Sequence, residues 1–179
     1  MKLSNPVRIG YLFLALLMLF VQSCGVYSFT GTNLPPDVET ITVQNFYNDS
    51  GGGPPNLMQL FTEGLKDYYQ RNTRLAMVNE GGHLQVEGSI IGWDLAPVAP
   101  QASNTAVGGD LAAQQRLTIA VKVNYINLKD ETQNFEKTFS YFADYNPDQT
   151  TLQAEESRLI DEIFERIIFD IFNSTVANW

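Results

Sequence analysis

The chain has 179 residues, 44% hydrophobic and 17% charged, which is enough for one globular domain with a short appendage and too little for a two-domain enzyme. Against 20 Asp and Glu stand 11 Lys and Arg, a net charge of −9, so no basic footprint is available to neutralise phosphates and nucleic acid is excluded as a partner. A single His and a single Cys leave no material for Cys/His zinc sites, disulfide frameworks or His-dependent triads.

The first element in chain order is an apolar run from Ile9 to Val21, preceded by Lys2 and Arg8. It is too short to span a bilayer, which takes about 20 apolar residues, and has the build of an export signal. The only Cys follows directly in Val21-Gln22-Ser23-Cys24, a sequence similar to the bacterial lipobox. The reading is a signal peptide over residues 1–23, lipid attachment at Cys24, and a tether over 24–36 leading to a single domain over 37–179. Cleavage before Cys24 removes two bases and no acid, leaving 9 bases against 20 acids, or −11.

Beyond the tether, Val38 to Phe46 alternates and is rich in β-branched residues, which predicts a strand. Asn48 to Pro55 is a loop whose glycines lack the Lys-Ser/Thr ending of a phosphate loop. Leu57, Leu60, Phe61, Gly64, Leu65 and Tyr68 recur at helical spacing and predict an amphipathic helix over 56–72. A short strand is expected at Leu75 to Val78, and a longer one from Leu84 to Asp94 with Leu84, Val86, Gly88 and Ile90 on one face. Ala96 to Gln115, rich in Ala, Pro, Gln, Ser and Gly, predicts a long loop that is either disordered or a contact element. The cleanest period of two runs from Arg116 to Asn127, and after a polar turn a partner strand covers 134–143, with Lys137 on its apolar face expected to snorkel at a sheet edge. Thr150 and Gln153 have capping-box spacing before a long amphipathic helix reaching about Asn173. The order predicts an α+β fold, two helices on one face of a mostly antiparallel sheet of about four strands.

The acids Asp144, Asp148, Glu155 and Glu156 sit at a turn and a helix start, where solvation and the helix dipole explain them without catalysis. His83 follows two glycines with no companion ligand. No nucleophile elbow, His-Glu-x-x-His or dinucleotide fingerprint occurs, so neither an enzyme nor a cofactor is expected.

Cys24-Gly25-Val26-Tyr27-Ser28-Phe29-Thr30-Gly31, then Leu34-Pro35, the ITVQNF strand, Phe61-Thr62-Glu63-Gly64-Leu65, Arg116-Leu117-Thr118-Ile119 and Asp170-Ile171-Phe172-Asn173 resemble the LptE family of lipopolysaccharide-assembly lipoproteins. The resemblance covers essentially all of the mature chain and implies a structural partner of the outer membrane. Such a protein plugs and helps assemble a large β-barrel, LptD, and binds lipopolysaccharide on its way to the outer leaflet, its body facing the periplasm and barrel lumen. Polar outward residues Thr118, Lys122, Asn124, Thr138 and Ser140 suit a wet lumen. Because lipopolysaccharide is anionic and the mature chain acidic, its contacts must be local, and Arg116 and Lys122 on the cleanest strand are the candidates, with Lys129 and Lys137 nearby in the hairpin. The rival reading from another class is a periplasm-facing lipoprotein that binds a lipid or small ligand between helices and sheet, as accessory to an inner-membrane transporter.

Overall fold

The computed structural model describes residues 34–98 and 114–176. Cys24, the middle of the 96–115 segment and Trp179 lie outside these residues. The chain divides into units 1–30 and 31–179, and the described residues belong to the second.

Six strands form one sheet: β1 (Thr40–Val43), β2 (Tyr47–Asn48), β3 (Ala76–Met77), β4 (Leu84–Val98), β5 (Gln114–Asn127) and β6 (Phe135–Tyr145). The order is β3-β1-β4-β5-β6, with β2 also paired to β4. The helices are α1 (Leu57–Asn72) and α2 (Leu152–Thr175). The α+β class holds, but the sheet is mixed and has six strands instead of four. β1 runs parallel to both β3 and β4, and β2 parallel to β4. Two of the extra pairings involve strands of two residues, too short to carry a period-two signal. The parallel pairings follow from α1, which carries the chain back between β1 and its later neighbours as a crossover requires.

β4, β5 and β6 make the long antiparallel part. β5 and β6 pair residues whose numbers sum to 260, from Tyr125↔Phe135 to Gln115↔Tyr145. Leu117, Ile119, Val121, Val123 and Tyr125 all point into the core, as their alternation predicts. β4 carries a bulge between Ile90 and Gly92, so Leu84, Val86 and Ile90 face inward before it and Trp93 joins the same side after it. The expected 96–115 loop is shorter than its composition suggested, because Ala96, Pro97 and Val98 pair with Arg116, Gln115 and Gln114. Pro97 fits there since β1 and β2 reach β4 only as far as Ile90, so the missing N–H interrupts no second ladder.

Both helices pack on one face. The stripe of α1 is Leu57, Phe61, Leu65 and Tyr69, all buried; Leu60, expected inside, is 40% exposed because the buried line follows strict i+4 steps. α2 buries Leu159, Ile160, Ile163, Phe164, Ile167, Ile168, Ile171 and Phe172. Its cap is Thr151, one residue past the expected Thr150, and the Thr151 side chain accepts the Ala154 N–H. Phe46, Phe61 and Phe164 stack edge to face at 4.9 Å spacings, joining β-layer, α1 and α2. Beneath them Tyr69 and Thr175 hydroxyls share a 2.6 Å hydrogen bond, and the Tyr125 hydroxyl donates to the Thr175 carbonyl. These groups are buried and fully partnered, which locks the ends of α1 and α2 to β5.

Candidate functional site

The sheet's second face is covered by no helix among the described residues. Alternation in β4, β5 and β6 directs Glu87, Ser89 and Asp94, then Arg116, Thr118, Lys122 and Asn124, then Glu136, Thr138, Ser140, Phe142 and Asp144 onto it. The five polar residues predicted to face outward do so, and this surface holds both candidate lipopolysaccharide contacts.

Arg116 and Lys122 share the face but neither is a free charge. The Arg116 guanidinium donates to both oxygens of Asp144, its direct cross-strand partner, at 2.8 and 2.9 Å. It also lies 3.6 Å from the centroid of the Phe142 ring. The Asp144 carboxylate thereby holds Arg116 still more firmly protonated than usual. Lys122 is bound at 2.9 Å by Glu136, which sits diagonally across β6. Around Lys122 is a shallow depression of about 320 Å³ lined also by Tyr47, Asp49 and Glu87, and Asn124 donates to Glu87 at 2.8 Å. This depression carries three acids against one base.

The sheet's outer edge is β6. Lys137 is exposed there as expected, its ammonium 4.7 Å from the Phe139 ring centroid. Two residues on, Tyr141 stacks with Phe142 at 5.6 Å and 14°, and the Arg166 guanidinium of α2 lies 6.0 Å from the Tyr141 centroid. Sequence reading left Phe142 and Arg166 unassigned and set Asp144 at a turn, whereas β6 extends through Tyr145 and places Asp144 within the strand. The hairpin register centred on Asp130 is the signal that pairs Asp144 with Arg116; nothing local announces Arg166.

The acids considered for catalysis are dispersed: Asp144 binds Arg116 and Glu155 binds Arg158 at 2.6 Å. His83 ties strand ends together, its Nδ1 accepting the Glu39 N–H at 3.1 Å and its own N–H donating to Thr40. Among the described residues no group of three or more His, Cys, Asp or Glu could hold a metal ion.

Among the described residues, fold and surface together define a small α+β domain with one sheet face covered by helices and one covered by none. The chain belongs to the LptE family, described as lipopolysaccharide-assembly, whose model matches residues 38–175. No curated protein matches the chain. Among solved structures, the hypothetical protein CT253 from Chlamydia trachomatis aligns with TM-score 0.52 and 8% identity over 78% of this chain and 99% of that one, a likeness of fold alone. A minor lipoprotein from Acinetobacter baumannii (TM-score 0.48, 12% identity, 79% and 92% covered) and rare lipoprotein B from Shewanella oneidensis (0.44, 12%, 76% and 90%) are also similar, at a level that carries no argument.

Proposed function

We propose that this chain is an outer-membrane lipoprotein, anchored through acyl groups on Cys24, whose domain plugs an LptD-type β-barrel and assists lipopolysaccharide transport to the outer leaflet. The observation that carries the reading is the family match over residues 38–175, which spans nearly all of the described fold. The open sheet face supports it, because a surface of Thr, Ser, Asn and paired charges tolerates a polar lumen wall better than an apolar one. The carrier alternative has no such support among the described residues: the layer between helices and sheet is filled by Leu57, Phe61, Leu65, Leu117, Ile119 and Ile163, all fully buried. On this reading Arg116 and Lys122 contact lipopolysaccharide by exchanging a carboxylate partner for a phosphate, a swap of one charge-assisted bond for another that yields little net affinity.

A crosslinked pull-down of the tagged chain from detergent-solubilised envelopes tests the proposal. One large β-barrel retained in near-equal amount is the expected result. Recovery of inner-membrane transporter subunits, or of no partner, overturns it.

A further inference from the structure

We propose that the outer edge of β6 accepts an extended segment of another protein as an added strand, and that Lys137 and Arg166 select a segment carrying carboxylates four residues apart on one face. The inference goes beyond the barrel reading and does not depend on it, since it rests on the edge itself.

The direction of the backbone groups follows from the ladder. The Ile90 carbonyl accepts the Asp49 N–H at 2.9 Å, so Ile90 turns its backbone groups away from β5. Ile90 stands opposite Val121, and Val121 opposite Phe139. Alternation then points the N–H and C=O of Val121 and Phe139 toward each other, and those of Glu136, Thr138, Ser140 and Phe142 outward. The Asp144 carbonyl continues that outward row and accepts from Arg158 of α2 at 3.5 Å. Among the described residues no strand, loop, helix or side chain takes up the outward groups of the other four. The stretch from Glu136 to Phe142 is long enough to template a further strand.

What guards the edge also defines what fits it. A lysine on the otherwise apolar side of an edge strand discourages pairing with apolar strands, which would cover the charge and offer it no partner. Lys137 stands on the helix side of β6, its ammonium 4.7 Å from the Phe139 centroid. Four residues on and on the same side, the Tyr141 ring lies 6.0 Å from the Arg166 guanidinium of α2. Among the described residues neither cation has a carboxylate within salt-bridge distance, whereas Arg116, Lys122 and Arg158 do. The nearby acids are otherwise engaged or aimed elsewhere: Asp144 and Glu136, on the opposite sheet face, hold Arg116 and Lys122, Glu155 and Glu162 hold Arg158, and Glu165 borders a groove toward Tyr68. An added strand with carboxylates at i and i+4 on its helix side sets them roughly 13 Å apart, the spacing of Lys137 and Tyr141 along β6. Its intervening positions meet Thr138, Ser140 and Phe142 on the open face, where β-branched and aromatic residues pair well. The same two cations thus attract an acidic strand and reject apolar or basic ones.

The test titrates the full-length chain in nonionic detergent into fluorescent peptides of about nine residues that alternate Thr and Val, with either Glu or Lys at two positions four apart. The Glu peptide is expected to bind about tenfold more tightly than the Lys peptide, and added salt should narrow the gap. Lys137→Glu combined with Arg166→Glu should reverse that preference. Thr138→Pro deletes an outward N–H and leaves the β5 ladder whole, so it should abolish binding of either peptide while the circular dichroism stays native. Should that variant not fold, hydrogen exchange in the unmutated chain decides: saturation with the Glu peptide should slow the amides of Glu136, Thr138, Ser140 and Phe142. Absence of binding, equal affinity for the two peptides, or an unreversed preference in the double variant overturns the proposal. Binding that persists in folded Thr138→Pro, or that leaves those four amides unprotected, overturns strand addition in favour of simple charge attraction.

Discussion

At the scale of single residues, two positions carry more than their size suggests. Gly88 lies on the inward face of β4, where an added Cβ would sit 2.1 Å from the Lys122 carbonyl oxygen and 2.8 Å from the Phe46 ring. The obstacle is backbone, which cannot rotate away. Gly88→Ala is therefore expected to cost about 1–3 kcal/mol, read as a lower denaturant midpoint with unchanged slope. The buried hydroxyls of Tyr69 and Thr175 form the second case. Thr175→Val strands the Tyr69 hydroxyl and should cost about 1–3 kcal/mol, whereas adding Tyr69→Phe should recover part of that loss; additive effects in the cycle would refute the coupling. Burial pushes the Tyr69 phenol well above its ordinary value and the Tyr125 phenol up to about 12. A phenol whose pKa is raised on folding stays protonated while the unfolded chain loses its proton. Its stabilising effect is thus complete below about pH 10 and declines as pH rises from there through the folded pKa. The melting temperature should fall above that pH, and less steeply in Tyr69→Phe.

At the scale of elements, spacing rules located both helices, but ends and faces depended on neighbours. Thr150 and Thr151 are equivalent as potential caps by type; the turn at Asn146, whose carbonyl accepts the Gln149 and Thr150 N–H groups, continues the bend through Thr150 and leaves Thr151 at the helix mouth. Thr151→Ala should destabilise by about 1 kcal/mol and Thr150→Ala by much less, a comparison that thermal unfolding decides. Lys137 shows the opposite case. A charge on an otherwise apolar face announces an edge strand from sequence, and β6 is that edge. Leu60 misled because its type is apolar while the core it would join lies one helical position away, along Leu57, Phe61, Leu65 and Tyr69.

At the scale of the whole molecule, the helices lie on one face and no helix covers the other among the described residues, while residues 99–113 join β4 to β5 in sequence. If that segment reaches the wall or loops of a barrel, deleting Ser103 to Gly109 should leave thermal unfolding unchanged and reduce barrel co-purification. Undiminished co-purification would remove the segment from the interface. The open face is also where opposite charges are matched across strands, Arg116 to Asp144 and Lys122 to Glu136, so that it is polar without being strongly charged.

The sequence by itself determined the α+β class, both long helices, the antiparallel β5–β6 pair, and the family resemblance that the family match to residues 38–175 sustains. Each of these is written in local periodicity or in a contiguous motif. Only the tertiary structure decided that β1 and β2 pair in parallel, that the strands of the hairpin extend to Val98 and Gln114, and which cations are spent. Parallel pairing joins segments separated by a helix, and whether a lysine or arginine is neutralised depends on what folds opposite it. Arg116 and Lys122 looked available along the chain and are bound by β6, while Arg166 reaches the Tyr141 ring only when α2 lies down beside the sheet.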